Sequence, residues 1–196
     1  MDTHDIWIEK GYEHFGIYGP NELSIKLIAE ESSIARTTFN YHFLNKEEFF
    51  NELLDKHYEL LNQYCDLGEL HCKKYLPDIH ELALAFPSGF KFHKQLFNHR
   101  NIPKYNRVYK KCNTIAGKRF SVQLFIDYYN LPLSFEAGTQ LHDALVDAWY
   151  SRLDTDHLTL EKMVHSTEVI MKGVLTLMVN IKKGVAQPPI KIPSFI

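Results

Sequence analysis

Apolar positions recur along most of this chain at steps of three and four residues. That period puts side chains on one face of an α-helix, so the pattern predicts an all-α protein. Ile8, Tyr12 and Phe15, widened by Ile6 and Trp7, predict a first helix from Asp5 to about Ile17, stopped by Gly16 and Gly19-Pro20. Ser24 stands where an N-cap belongs, ahead of Ile25, Leu27, Ile28 and Ala29. Ser32-Ser33-Ile34 breaks that second helix. A third, short helix then starts at Ala35 or Arg36 and runs RTTFNYHF, with Phe39 and Phe43 four apart on its inner face. Arg36, Thr37, Thr38, Asn40 and Tyr41 are left pointing outward. A short helix with a polar outer face, braced across an apolar partner, has the form that enters a DNA major groove.

The rest of the chain continues the helical period. Asn45 with Glu48 three residues later predicts a capped helix from Glu47 to about Gln63, burying Phe50, Leu53, Leu54, His57 and Leu61. Asp66 to Phe86 reads as another helix with Pro77 early in it, and Pro87-Ser88-Gly89 as a break. Phe90 to His99 is a short helix. Lys104 to Tyr129 reads as one long helix with Tyr105, Val108, Cys112, Ile115, Phe120, Leu124 and Tyr128 inside. Ser134 caps the next, Phe135 to about Leu153, whose stripe is Leu141, Leu145, Ala148 and Trp149. After the loop Asp154-Thr155-Asp156, a final helix spans Thr159 to Lys183, and the Pro-rich tail QPPIKIPSFI reads as an extended arm.

Composition narrows the function. There is no Gly-rich phosphate loop, no CxxC and no HExxH, so the reading is a non-enzyme without a cofactor. No apolar run is long enough to span a bilayer, and the acidic start MDTHDIWIEK lacks the layout of a signal peptide, so a cytoplasmic protein is expected. Cys65, Cys72 and Cys112 are an odd set and read as reduced thiols; Cys65 and Cys72 share a face if one helix runs through Gly68. No metal site is expected: His80, His142 and His165 stand at core-like helical positions, and His93 and His99 do not share a face. Residues 1–60 hold twelve acidic and five basic residues, against the basic balance usual for DNA binding. Residues 71–120 hold eleven basic residues against Asp78 and Glu81. That excess fits either a solvated surface or a site for an anionic ligand.

The segment Leu23–Lys46 resembles the DNA-binding domain of the tetracycline-repressor (TetR/AcrR) family of bacterial regulators. The resemblance rests on Ser24, Ile28-Ala29, Ile34, Arg36 to Asn40, Tyr41-His42-Phe43 and Lys46-Glu47, and extends from about Ile6 to His57. The chain departs from the family pattern at Ala35, which cannot cap the recognition helix, at Asn40 where Tyr is usual, and at Ser33 where Gly is usual. The resemblance implies an N-terminal helix-turn-helix domain over 1–50 and a ligand-binding and dimerisation domain over 51–196. Arg36, Thr37 and Thr38, joined by Lys26, are expected at base edges; Ser24, Asn40, Tyr41, His42 and Lys46 are expected to position the backbone. For His42 and Lys46 the assignment is the family's.

The expectation is a ligand-responsive transcription regulator, a repressor of a palindromic double-stranded operator. The resemblance implies a homodimer through Ser134–Leu153 and Thr159–Lys183. It also implies that an unknown small-molecule effector acts through tilting of the helix that carries Phe50 and Leu53. Pockets in helical bundles lie between helices, which makes Phe86, Phe90, Phe97, Tyr105, Tyr109, Phe125, Tyr128 and Trp149 the candidate lining. A helical interaction protein of the same fold with weak DNA binding is the alternative.

Overall fold

A computed structural model of the chain describes residues 2–153 and 158–182. Among these the regular elements are all helical: α1 (Thr3–Glu22), α2 (Ile25–Glu31), a 3-10 turn (Arg36–Thr38), α3 (Phe39–His42), α4 (Lys46–His71), α5 (Asp78–Ala85), α6 (Pro87–Asn98), α7 (Pro103–Ala116), a π-turn (Gly117–Ser121), α8 (Val122–Tyr128), α9 (Phe135–Arg152) and α10 (Leu160–Lys182). The expected loop at Asp154-Thr155-Asp156, the end of the last helix at Lys183 and the tail lie outside the described residues.

Helix ends follow local chemistry. Asp2 and Asp5 form a capping box on α1. Ser24 accepts from the Leu27 amide, Asn45 from Glu48 and Ser134 from Ala137. Ser33 takes a left-handed φ of 54° in the turn between α2 and the 3-10 segment, the conformation glycine would adopt at no steric cost. Helix α1 runs on past its expected end to Glu22, kinked at Gly19 where φ is 77°. Pro20 frees carbonyls of the preceding turn, and Gln95 on α6 donates to those of Gly16 and Ile17 at 3.4 and 3.3 Å.

Three expectations about helix bounds are corrected. Helix α4 does not stop near Gln63 but continues through Gly68 to His71, so the helix expected over Asp66–Phe86 is the end of α4, a loop and α5. Gly68 is tolerated because the Phe120 ring packs on it, where a Cβ would meet the ring at 2.5 Å. The break at Pro87 moves to Phe86, since Pro87 occupies the first turn of α6, where a missing N–H costs nothing. The helix expected over Lys104–Tyr129 is interrupted by the π-turn at Gly117–Ser121. One extra residue per turn there rotates the buried face. Val122, Phe125 and Ile126 go inward, and Tyr128, expected inside, is 43% exposed.

The core crosses the expected boundary at residue 50. Trp7, Tyr12, Phe15, Phe49, Leu53, Phe92, Leu96 and Tyr109 belong to one continuous apolar cluster. Helix α1 lies along α6, with the Phe92 ring stacked 4.3 Å from Tyr12 and 4.1 Å from Phe15. A second cluster, built on Tyr75, Val122, Phe125, Ile126, Leu145 and Met171, joins α8, α9 and α10. Cys65, on α4, Cys72, the residue that caps its C-terminus, and Phe120 form a third. Burial pushes both of these thiols up to about 11, so they stay protonated at neutral pH.

Candidate nucleic-acid interface and interior cavity

Four aromatic side chains support the recognition segment from below. Trp7 meets Phe39 edge-on at 5.2 Å, Phe39 meets Phe49 edge-on at 5.4 Å, and Phe43 lies 4.9 Å from Phe49. Trp7, Phe43 and Phe49 are almost fully buried. Burying each such ring stabilises the unit by ~1.5–3 kcal/mol. Phe49, rather than the expected Phe50, is the fully buried residue of α4 here; Phe50 is half-buried and packs on Phe15. At Gly11 a Cβ would meet Phe49 Cζ at 2.2 Å, so α1 comes this close only because it has hydrogen there.

Above that floor the polar residues face outward. Arg36, Thr37, Asn40 and Tyr41 are exposed, Tyr41 at 86%, with Lys26 and Lys46 beside them. Leu44, which sequence reasoning left out, is 89% exposed at the tip of the same surface. Its apolar character in a capped polar turn was the available signal.

Several expected contact residues are already engaged within the protein. Thr38 is half-buried; its hydroxyl donates to the Ala35 carbonyl at 2.7 Å and accepts from the Trp7 indole N–H at 3.1 Å. With its hydroxyl spent on these two bonds, Thr38 has its methyl group left for an outward contact. Lys46 donates to the Leu23 carbonyl at 2.7 Å, closing the end of α1. His42 is half-buried between Tyr41 and His4, and His4 in turn holds Glu52 at 2.8 Å. Lys26 pairs loosely with Glu30 at 3.7 Å on an exposed helix face. Ser24 spends its hydroxyl on the cap of α2. Arg36, Thr37, Asn40 and Tyr41 remain as the outward set.

Beneath the interface, between α4, α5, α6, α7, α9 and α10, lies an interior cavity of about 150 Å³. Of the eight expected lining residues, Phe86, Phe90 and Trp149 border it. The others sit elsewhere: Phe97, Tyr105 and Tyr109 in the main core, Phe125 in the second cluster, and Tyr128 at the surface. Aromatic residues that share a helix face in sequence were separated by the π-turn and by the pull of α1 on α6.

The polar part of the wall is imidazole, which sequence reasoning treated as ordinary core. His57, His80, His93 and His142 all border the cavity, with Asn113, Ser121 and Thr167. None of the bordering residues is charged, so the basic excess of residues 71–120 does not converge on it. Arg119 instead forks onto Glu69 and Asp66 of α4 at 2.6 and 2.7 Å. Lys94 donates to the Tyr150 carbonyl, Arg100 stacks on Phe97, and Lys111 lies over Tyr58. Burial pushes His80, His93 and His142 down to about 4, and His57 is lowered by burial and by the adjacent His93. All four are neutral at pH 7. His165, expected at a core-like position, is exposed.

His57 belongs to a hydrogen-bonded chain. Tyr12 OH lies 2.7 Å from His57 Nδ1, His57 Nε2 lies 3.1 Å from His93 Nδ1, and His93 Nε2 lies 3.0 Å from Asn113 Oδ1. An amide oxygen only accepts, so His93 carries its proton on Nε2 and must accept at Nδ1. His57 then donates from Nε2 and accepts the Tyr12 hydroxyl proton at Nδ1. One direction of donation satisfies every member.

A short helix raised on an apolar floor and exposing Arg, Thr, Asn and Tyr defines a helix-turn-helix DNA-binding module, here mounted on an all-helical body. Residues 8–53 match the family model of bacterial regulatory proteins of the tetR family. The chain is similar in fold to the crystal structure of a transcriptional regulator (TerR/AcrR family) from Aquifex aeolicus VF5. The TM-score is 0.57 at 15% identity, over 88% of this chain and 99% of that one. No curated protein sequence matches the chain. Among the described residues no helix is long and apolar enough to cross a membrane.

Proposed function

We propose that the protein is a ligand-responsive repressor that binds a palindromic operator as a homodimer. The observation that carries this reading is the outward set Arg36, Thr37, Asn40 and Tyr41 on a segment braced by Phe39, Phe43 and Trp7. Arg36 grips a guanine edge, and the Thr37 and Thr38 methyls meet thymine. Asn40, Tyr41, His42 and Ser24 position the phosphate backbone, with Lys26 and Lys46 adding charge. Residues 1–50 read DNA and residues 51–196 hold the effector and the dimer contact. The effector enters the cavity behind α4 and lowers DNA affinity by moving that helix.

Variant binding to a duplex recovered by selection tests the assignment. Arg36→Ala loses ~1–3 kcal/mol and relaxes preference at one base pair. Lys46→Ala weakens all sequences alike and flattens the salt dependence. Wild-type binding by both variants means that the face is misassigned. The aromatic, uncharged wall of the cavity favours an effector without a net anionic group.

A further inference from the structure

We propose that His57, His93 and Cys112 form a binding site for a zinc-class divalent metal ion. Their donor atoms, two imidazole nitrogens and one sulfur, lie within 4.8 Å of one another. They come from three helices, α4, α6 and α7, so the cluster is a product of the tertiary fold rather than of any sequence motif. Two imidazoles and a thiolate suit zinc and its neighbours in the first transition row and do not suit magnesium or calcium.

The separations fit. His57 Nε2 and His93 Nδ1 are 3.1 Å apart. Two nitrogens on one tetrahedral zinc at 2.0–2.1 Å lie about 3.3 Å apart. The sulfur has to approach by at most about 1 Å to complete the set at ordinary zinc–sulfur distance.

The outer partners a metal-bound histidine needs are in place as well. His93 donates from Nε2 to Asn113 Oδ1, which leaves Nδ1 as the ligating atom. His57 has Tyr12 OH on Nδ1, which leaves Nε2 as the ligating atom. Each ring therefore has its non-ligating nitrogen held, and the two ligating nitrogens face each other at 3.1 Å, where an ion would replace the shared proton between them. His57, His93 and Cys112 also all border the cavity, so a fourth position is open to water or a small ligand.

Proton balance specifies what binding changes. The ion takes the lone pairs of His57 Nε2, His93 Nδ1 and the Cys112 sulfur. The thiol proton leaves to solvent, and the His57 proton moves from Nε2 to Nδ1. The bond to Tyr12 then reverses: His57 donates, and the Tyr12 hydroxyl loses its acceptor. Tyr12 lies on α1, which supports the recognition segment, so the ion is also a candidate effector of DNA binding. That last step rests on the regulator reading; the site does not.

Cobalt(II) is the probe, added to the purified, reduced full chain. The expected result is a thiolate-to-cobalt charge-transfer absorption saturating at one equivalent and displaced by zinc. Cys112→Ser abolishes it, and the Cys65→Ser/Cys72→Ser double variant keeps it. His93→Gln lowers affinity at least tenfold, and Tyr12→Phe, which keeps all three ligands, retains the band. A wild-type protein with no such band overturns the site, as does a band that survives Cys112→Ser or is lost with Cys65 and Cys72. If Cys112→Ser fails to fold, as judged by its thermal transition, His93→Gln and the double variant decide by the same criteria. A band with no effect of zinc on DNA retention upholds the site and removes only its role as effector.

Discussion

Trp7 shows at the scale of one residue how recognition and stability share atoms. Its ring forms part of the floor under Phe39, and its indole N–H fixes the Thr38 hydroxyl at 3.1 Å. Trp7→Phe keeps most of the ring burial and removes the hydrogen bond. The variant should lose ~0.5–1.5 kcal/mol in denaturant unfolding and weaken DNA binding without altering base preference. Gly11 is a stricter case. Gly11→Ala drives a methyl into Phe49, and the expected cost is ~1–3 kcal/mol despite the better helix propensity of alanine. A variant as stable as wild type would show that Phe49 can move aside. The inward role of Phe39 and Phe43 and the outward set around Arg36 were legible from four-residue spacing alone. The engagement of Thr38 by Trp7, of Lys46 by Leu23 and of His42 by His4 was not, because these partners lie on α1 or at its end, and pairings between helices leave no periodic trace.

At the scale of elements, the caps and turns were legible and some bounds were not. Ser24, Asn45 and Ser134 each hold the first-turn amide their position implied. Asn45→Ala should cost ~1 kcal/mol, read as a lowered thermal midpoint, and fray the helix that joins the two functional regions. Helix α4 continued past Gln63 because Gly68 buys close approach to Phe120 rather than a helix end. The π-turn at Gly117–Ser121 had no signal in composition, yet it decided that Phe125 and Tyr128 face away from the cavity. The cavity histidines were missed for a related reason. Single histidines at core-like positions look alike until four helices bring them to one wall.

At the scale of the whole molecule, two consequences follow. Val169 and Leu177 are eight residues apart on α10, and both are about half-exposed. With Phe135 on α9, also exposed, they give the proposed dimer contact an apolar surface to bury. Leu177→Glu should convert a dimer to a monomer in sedimentation velocity; a wild-type monomer at micromolar concentration removes this contact from the account. The buried histidines set the response to acid. His80 and His142 titrate near 6.5 in an unfolded chain and are held down to about 4 in the fold. Between those values the unfolded chain binds more protons, so stability is full above about pH 6.5 and falls as pH drops toward 4. The loss should be on the order of 1–2 kcal/mol per histidine by pH 5, and His142→Gln should shallow the slope. A flat profile from pH 7 to 5 would contradict the burial of these rings.

The match of residues 8–53 to the family model of tetR-type regulatory proteins makes DNA reading the central claim. Its most direct test is selection of random duplex DNA by the purified protein near physiological salt, since phosphate contacts make affinity depend on salt concentration. The account predicts recovery of a two-fold symmetric motif whose half-sites lie about one helical turn apart, and a motif relaxed at one base pair of each half-site in Arg36→Ala. Salt-sensitive retention with no motif, or no retention, would contradict it and leave the helical body as the seat of function.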